Sequence, residues 1–88
     1  MTYRVRLSPR AQRALTHQLP EKIAAAVLEF IIGPLADNPH RVGKQLDQPL
    51  FPYYSARRGE YRVIYEIFQN EVLVEAVTIA HRRDAYRN

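Results

Sequence analysis

The stretch from residue 53 to residue 80 most restricts the folds open to this chain. Tyr61, Val63, Tyr65 and Ile67 alternate with Arg62, Ile64 and Glu66, and a second β-rich run, Val72–Ala80, follows. A period of two belongs to a strand with one buried face. Gly59-Glu60 separates the first run from Tyr53–Arg58, and Gln69-Asn70 separates it from the second. Short polar breaks between β-rich runs are hairpin signals. With Tyr61, Val63, Tyr65 and Ile67 on the inner face, Arg62, Ile64 and Glu66 point the other way. A two-residue turn at Gln69-Asn70 then puts Val72, Val74 and Ala76 inside, and Glu75, Val77 and His81 on the Arg62 face.

The N-terminal half reads as one more strand and two helices. Tyr3, Val5 and Leu7 alternate with Arg4 and Arg6. Ser8-Pro9 then supplies an N-cap and a proline suited to a first helical position. That helix should end near residues 17–19, because Pro20 disfavours helical geometry at the residue before it. Pro20 in turn opens a second helix that reaches Ala36, with Gly33-Pro34 expected to kink or break it. This second helix carries apolar residues almost all round (Ile23, Val27, Leu28, Phe30, Ile31, Ile32, Leu35), so one side is expected to meet the sheet and another a partner protein. Asp37–Pro52 is expected as a long polar loop. The fold class is therefore α+β: an N-terminal strand, a helical hairpin, then antiparallel strands completing a four-stranded sheet with the helices on one face.

Eighty-eight residues make a single domain, residues 1–88. There is no cysteine, which fits a reducing compartment. No signal peptide or membrane span is expected, so the chain reads as cytoplasmic with no membrane partner. Net charge is +4, and arginine outnumbers lysine eleven to two. A planar guanidinium fork matches phosphate and carboxylate better than an ammonium does, so the balance suggests an anionic partner: nucleic acid, an acidic protein or a membrane surface.

Clustering says more than the total. Arg57, Arg58, Arg62, Arg82 and Arg83 come with His81 and Tyr86 from three β-rich segments, while Lys44 adds charge from the loop and Tyr53 offers a base-stacking ring. No phosphate loop, metal-ligand spacing or serine elbow is present in the sequence, so neither cofactor nor metal is expected. A set of this kind suits phosphodiester cleavage in RNA. The 2′-hydroxyl is the nucleophile, and arginine forks spread the charge that develops on the non-bridging oxygens. Tyr86, His81 and Glu60 are the groups at hand to move protons. Each residue also has a plainer reading: Arg57 or Arg58 as a solvated edge-strand cation, Arg62 as a paired structural arginine, His81 as a strand-end hydrogen-bonder, and Tyr86 as a packed aromatic.

The Gly59-Glu60-Tyr61-Arg62-Val63-Ile64-Tyr65 strand and the His81-Arg82-Arg83-Asp84-Ala85-Tyr86 ending resemble the RelE branch of the RelE/ParE toxin superfamily, over nearly the whole chain. The resemblance implies the toxin of a type II toxin–antitoxin pair that cleaves mRNA on the ribosome. Implied partners are a RelB-like antitoxin, the ribosome and its mRNA, and operator DNA through the antitoxin complex. It also implies catalytic roles for three residues: Arg62 at the scissile phosphate, Arg82 as a second phosphate-stabilising group, and Tyr86 at the 2′-hydroxyl. Lys44, Tyr53, Arg57, Arg58, His81, Arg83 and Arg87 fill out the RNA-binding set. One departure is that Tyr53 and Ser55 stand where well-known members carry lysines, with Arg57 and Arg58 supplying charge further along the strand. The first alternative is a ParE-like toxin that inhibits DNA gyrase without catalysis; the second, which follows if the missing lysines are decisive, is a ribosome-binding protein without nuclease activity.

Overall fold

The computed structural model describes residues 2–85. Its centre is a five-stranded sheet in the order β1-β5-β4-β3-β2, formed by β1 (Arg4–Leu7), β2 (Lys44–Gln45), β3 (Tyr54–Arg58), β4 (Tyr61–Phe68) and β5 (Leu73–His81). β1 runs parallel to β5, and the other neighbours are antiparallel. The count is one above the expected four. Lys44 and Gln45 leave the supposed loop to pair with Ser55 and Tyr54, so β3 has a neighbour on each side.

The helical hairpin forms where its sequence signals stand. α1 (Pro9–Arg13) is capped by Ser8, whose Oγ accepts the Ala11 N–H at 3.0 Å. The helix continues as a π-helical turn, Ala14–Gln18, and Leu19 is extended, as the proline after it requires. α2 (Glu21–Phe30) starts after Pro20, with Glu21 favourably placed in its first turn. Gly33-Pro34 neither breaks it nor leaves it α-helical. The chain widens into a π-helical turn over Ile31–Leu35, and the Ala36 N–H reaches back to the Ile31 carbonyl. Proline lacks an N–H, and a wider turn of this kind re-pairs the backbone around it. A short α3 (Pro39–Val42) follows.

One sheet face takes the hairpin. Ala11, Ala14, Val27, Ile31 and Leu35 pack against Ala56, Val63, Tyr65, Val74, Ala76 and Ile79. Tyr65, with no exposed surface, donates from its hydroxyl to the Pro39 carbonyl at 2.6 Å and so ties β4 to α3. Burial and the neighbouring Tyr54 push its ionisation well above the ordinary tyrosine value, and the phenol stays a neutral donor.

The β4–β5 register departs from the expected one at two places. The turn is a 3₁₀ turn, Gln69–Glu71, followed by Val72 in left-handed geometry (φ 50°), so Phe68 pairs with Leu73. Further on, Ile64 pairs with Thr78 while Tyr65 pairs with Ala76, which leaves Val77 as a bulge. A bulge reverses the alternation beyond it. Val74 and Ala76 lie inside as expected, but so do Ile79 and His81. The shared open face expected for Arg62 and His81 does not form. The bulge is held from outside the hairpin: the Ser8 N–H donates to the Ala76 carbonyl at 2.9 Å, and Ser8 Oγ donates to the Val77 carbonyl at 2.6 Å. Ser8→Ala removes a helix cap and takes the hydroxyl donor from the part-buried Val77 carbonyl. The expected cost is about 1–3 kcal/mol, measurable as a lower denaturant midpoint at unchanged m-value.

Candidate active site

The open sheet face and the end nearest the β3–β4 turn bring the basic residues together. β3 and β4 join through Gly59-Glu60, with Gly59 at φ +61°, a conformation that glycine adopts without strain. That two-residue turn fixes the register, and Arg57 falls directly opposite Arg62. Directly opposed side chains have Cβ atoms about 4.5–5.5 Å apart, and like charges at that spacing oppose folding. Lys44 lies on the same face through its pairing with Ser55, next to a position that itself carries no charge.

Arg82 joins this end from β5. Its main-chain N–H donates to the Glu60 carbonyl at 2.8 Å, one step beyond the Tyr61–His81 pair. Its Nε lies 3.0 Å from Glu60 Oε1, and both side chains are more than half exposed. In the sequence Glu60 stands out only as a proton carrier, not as a partner of Arg82. Its pairing with Arg82 depends on the β4–β5 register, which the bulge decides.

The remaining residues divide. Adjacent strand residues face opposite ways, so Arg58 pairs with Tyr61 on the helix side and lines a cleft of about 200 Å³ with Ala26, Glu29, Phe30 and Pro34. His81 packs edge-on against Tyr61, ring centroids 5.5 Å apart, and its Nδ1 accepts the Arg83 N–H at 3.2 Å. An accepting Nδ1 carries no proton, so any ring proton sits on Nε2. Arg83 is exposed in the turn after β5. Tyr53 precedes β3 at the far end of that strand, with its N–H donating to the Leu50 carbonyl at 2.9 Å. Tyr86 and Arg87 lie outside the described residues. Among the described residues, no three His, Asp or Glu side chains gather as a metal ion would need, and no helix is long and apolar enough to cross a membrane.

Elsewhere on the open face the cations are already engaged. Arg6 Nε lies 3.4 Å from Glu75, and its guanidinium sits over the Phe68 ring at 5.5 Å. Arg4 donates to the Glu71 carbonyl at 3.4 Å. Among the described residues, Arg57 and Arg62 are then the opposed cations of the open face, and one anion between their two forks would relieve their repulsion.

Comparison with known proteins agrees with this fold. A family model described as the ParE toxin of type II toxin–antitoxin systems, parDE, matches residues 5–86. Toxin RelE of Mycobacterium tuberculosis (strain ATCC 25618 / H37Rv) is 51% identical over 85 residues, covering 97% of this chain and 87% of that protein. Toxin RelG of the same organism is 46% identical over 87 residues, covering 99% of each. The crystal structure of the toxin–antitoxin complex RelBE2 from Mycobacterium tuberculosis holds a chain that superposes with a TM-score of 0.89 at 44% identity, covering 96% of this chain and 95% of that one.

Proposed function

The chain belongs to the RelE branch of the RelE/ParE toxin superfamily, the toxins of type II toxin–antitoxin systems, and from that premise we propose that it is a ribosome-dependent mRNA interferase acting without a metal. The observation that carries the proposal is the Arg57–Arg62 pair on the open face, with Arg82 at the same end of the sheet. In the proposed reaction the RNA 2′-hydroxyl attacks the adjacent phosphorus and the 5′-oxygen leaves. Arg62 and Arg82 hold the non-bridging oxygens, and their hydrogen bonds strengthen as charge builds there. Tyr86 is assigned to the 2′-hydroxyl. Lys44, Tyr53, Arg57, Arg58, His81, Arg83 and Arg87 are assigned to the surrounding RNA, with Arg58 and His81 reaching it from the helix side of the sheet edge.

Primer extension on translated message after induction tests the proposal. Cuts phased with codons are expected. Intact message together with gyrase-trapped DNA breaks would replace this reading with the ParE-like one, which the family model's own description keeps in view.

The same reading gives the chain a cytoplasmic location and a RelB-like antitoxin, through which operator DNA is reached. One solved relative is a chain of a toxin–antitoxin complex. An apolar groove of about 410 Å³ runs between α1 and α2, lined by Leu7, Leu15, Ala24, Ala25 and Leu28. Leu28 in its wall is 38% exposed, and Ile32, in the helical turn after α2, is 56% exposed. Amphipathic helices seat in grooves of this kind. Backbone amides of α2 are expected to gain hydrogen-exchange protection when the antitoxin binds, and unchanged exchange there would move the antitoxin elsewhere.

A further inference from the structure

We infer that Glu60 is a positioning residue for Arg82, gripping the guanidinium at Nε so that its two terminal nitrogens stay open to a phosphate. Two contacts between the same residues divide the work. The main-chain bond from the Arg82 N–H to the Glu60 carbonyl, at 2.8 Å, sets where the Arg82 backbone stands, whatever side chain residue 60 carries. The side-chain contact, Arg82 Nε to Glu60 Oε1 at 3.0 Å, selects the rotamer. A guanidinium offers five N–H donors in one plane, a single one on Nε and the others on the terminal nitrogens. A carboxylate at Nε occupies one edge and leaves the terminal pair for a two-pronged contact with phosphate.

The pair is worth little to the fold. Its side chains are 59% and 62% exposed, and surface ion pairs at that exposure are largely screened. Its consequence is order. An arginine on an exposed turn samples many rotamers, and one fixed beforehand need not be frozen by the substrate. A carboxylate that instead competed with phosphate for Arg82 would have the opposite effect on rate, so the sign of the effect separates the two.

This inference rests on the phosphate-binding role proposed above for Arg82, and the variants are chosen to keep the two apart. Single-turnover cleavage of message on programmed ribosomes, with the toxin titrated, separates maximal rate from half-saturation. Glu60→Ala is expected to lower the maximal rate about tenfold at unchanged half-saturation. Glu60→Gln still presents an oxygen to the Nε–H and is expected to stay within about threefold of wild type. In an Arg82→Ala background, Glu60→Ala should add nothing further. A maximal rate in Glu60→Ala at or above wild type overturns the inference, and so does a Glu60→Gln variant as slow as Glu60→Ala. Exchange of the Arg82 Nε–H reads the grip without any cleavage: slow in wild type and Glu60→Gln, fast in Glu60→Ala, with equal rates in all three overturning it. An Arg82→Ala variant that cleaves like wild type overturns the site itself, whereas a slow Arg82→Ala beside an undiminished Glu60→Ala overturns only the role of Glu60.

Discussion

Arg62→Ala is expected to lower message cleavage on the ribosome by about 10²–10³-fold, the usual effect of removing one donor aimed at transition-state charge. The same change should leave the fold intact. Arg62 faces Arg57 across the β3–β4 ladder, so its removal relieves a like-charge contact of about 0.2–1 kcal/mol. Alanine's weaker strand preference offsets a similar amount. A melting temperature within a few degrees of wild type, together with the loss of cleavage, would separate the chemistry from the scaffold. Arg62→Lys sharpens the result. It keeps the charge and loses the planar fork, so it should recover only part of the rate. Cleavage by Arg62→Ala within about threefold of wild type would dismantle the proposed site, because Arg62 is the central member of its cationic group.

The largest effect on stability is expected at Gly43. Its backbone is extended (φ −110°, ψ −178°), which any residue can adopt, so glycine is needed there for space and not for conformation. A Cβ at this position would run into the Tyr65 hydroxyl and stand 2.9 Å from the Ser55 carbonyl. Neither neighbour can easily yield. Tyr65 is fully buried and bonded to Pro39, and Ser55 is paired on both sides in the sheet. Gly43→Ala combines overpacking with a strained or broken buried hydrogen bond, a cost of about 2–5 kcal/mol. In a domain of this size each kcal/mol is worth about 4–8 °C in Tm, so the variant should melt at least about 10 °C lower. A loss under about 3 °C would mean that the α3–β4 tie has slack.

Tyr65 also fixes the sign of a pH effect. Its ionisation is pushed upward by burial first and by Tyr54 second, from an ordinary value of 10.0 in the unfolded chain. The stability it contributes is fully present below about pH 10 and is lost as pH rises beyond that, when the unfolded phenol ionises first. Tyr65→Phe should flatten the alkaline limb of stability against pH while lowering stability at neutral pH by about 1–3 kcal/mol, since the buried Pro39 carbonyl loses its donor.

The register at the basic end of the sheet was legible because it sits beside a short turn. Gly59-Glu60 closes a two-residue hairpin, so the opposition of Arg57 to Arg62 follows from counting outward from the turn. The same alternation separates Arg57 from Arg58, whose neighbour across the ladder is Tyr61. His81 was misplaced because eight residues of β5 intervene, and a bulge at Val77 within them reverses the faces. Lys44 was counted as a loop charge, since two residues of strand leave no periodic signal. Tyr86 and Arg87 lie outside the described residues, so their place beside this end of the sheet comes from the sequence alone.

Elements whose cause is local follow from the residues alone. Alternation makes β4, a serine–proline pair starts α1, and Pro20 separates the two helices, because backbone dihedral limits and hydrogen bonds between near neighbours act over a few residues. Which face each part of β5 shows is set by contacts between distant segments. The Val77 bulge is stabilised by the main chain and hydroxyl of Ser8, 69 residues earlier in the chain. A carbonyl freed from the ladder must find a donor somewhere, and no pattern within β5 says where that donor will come from.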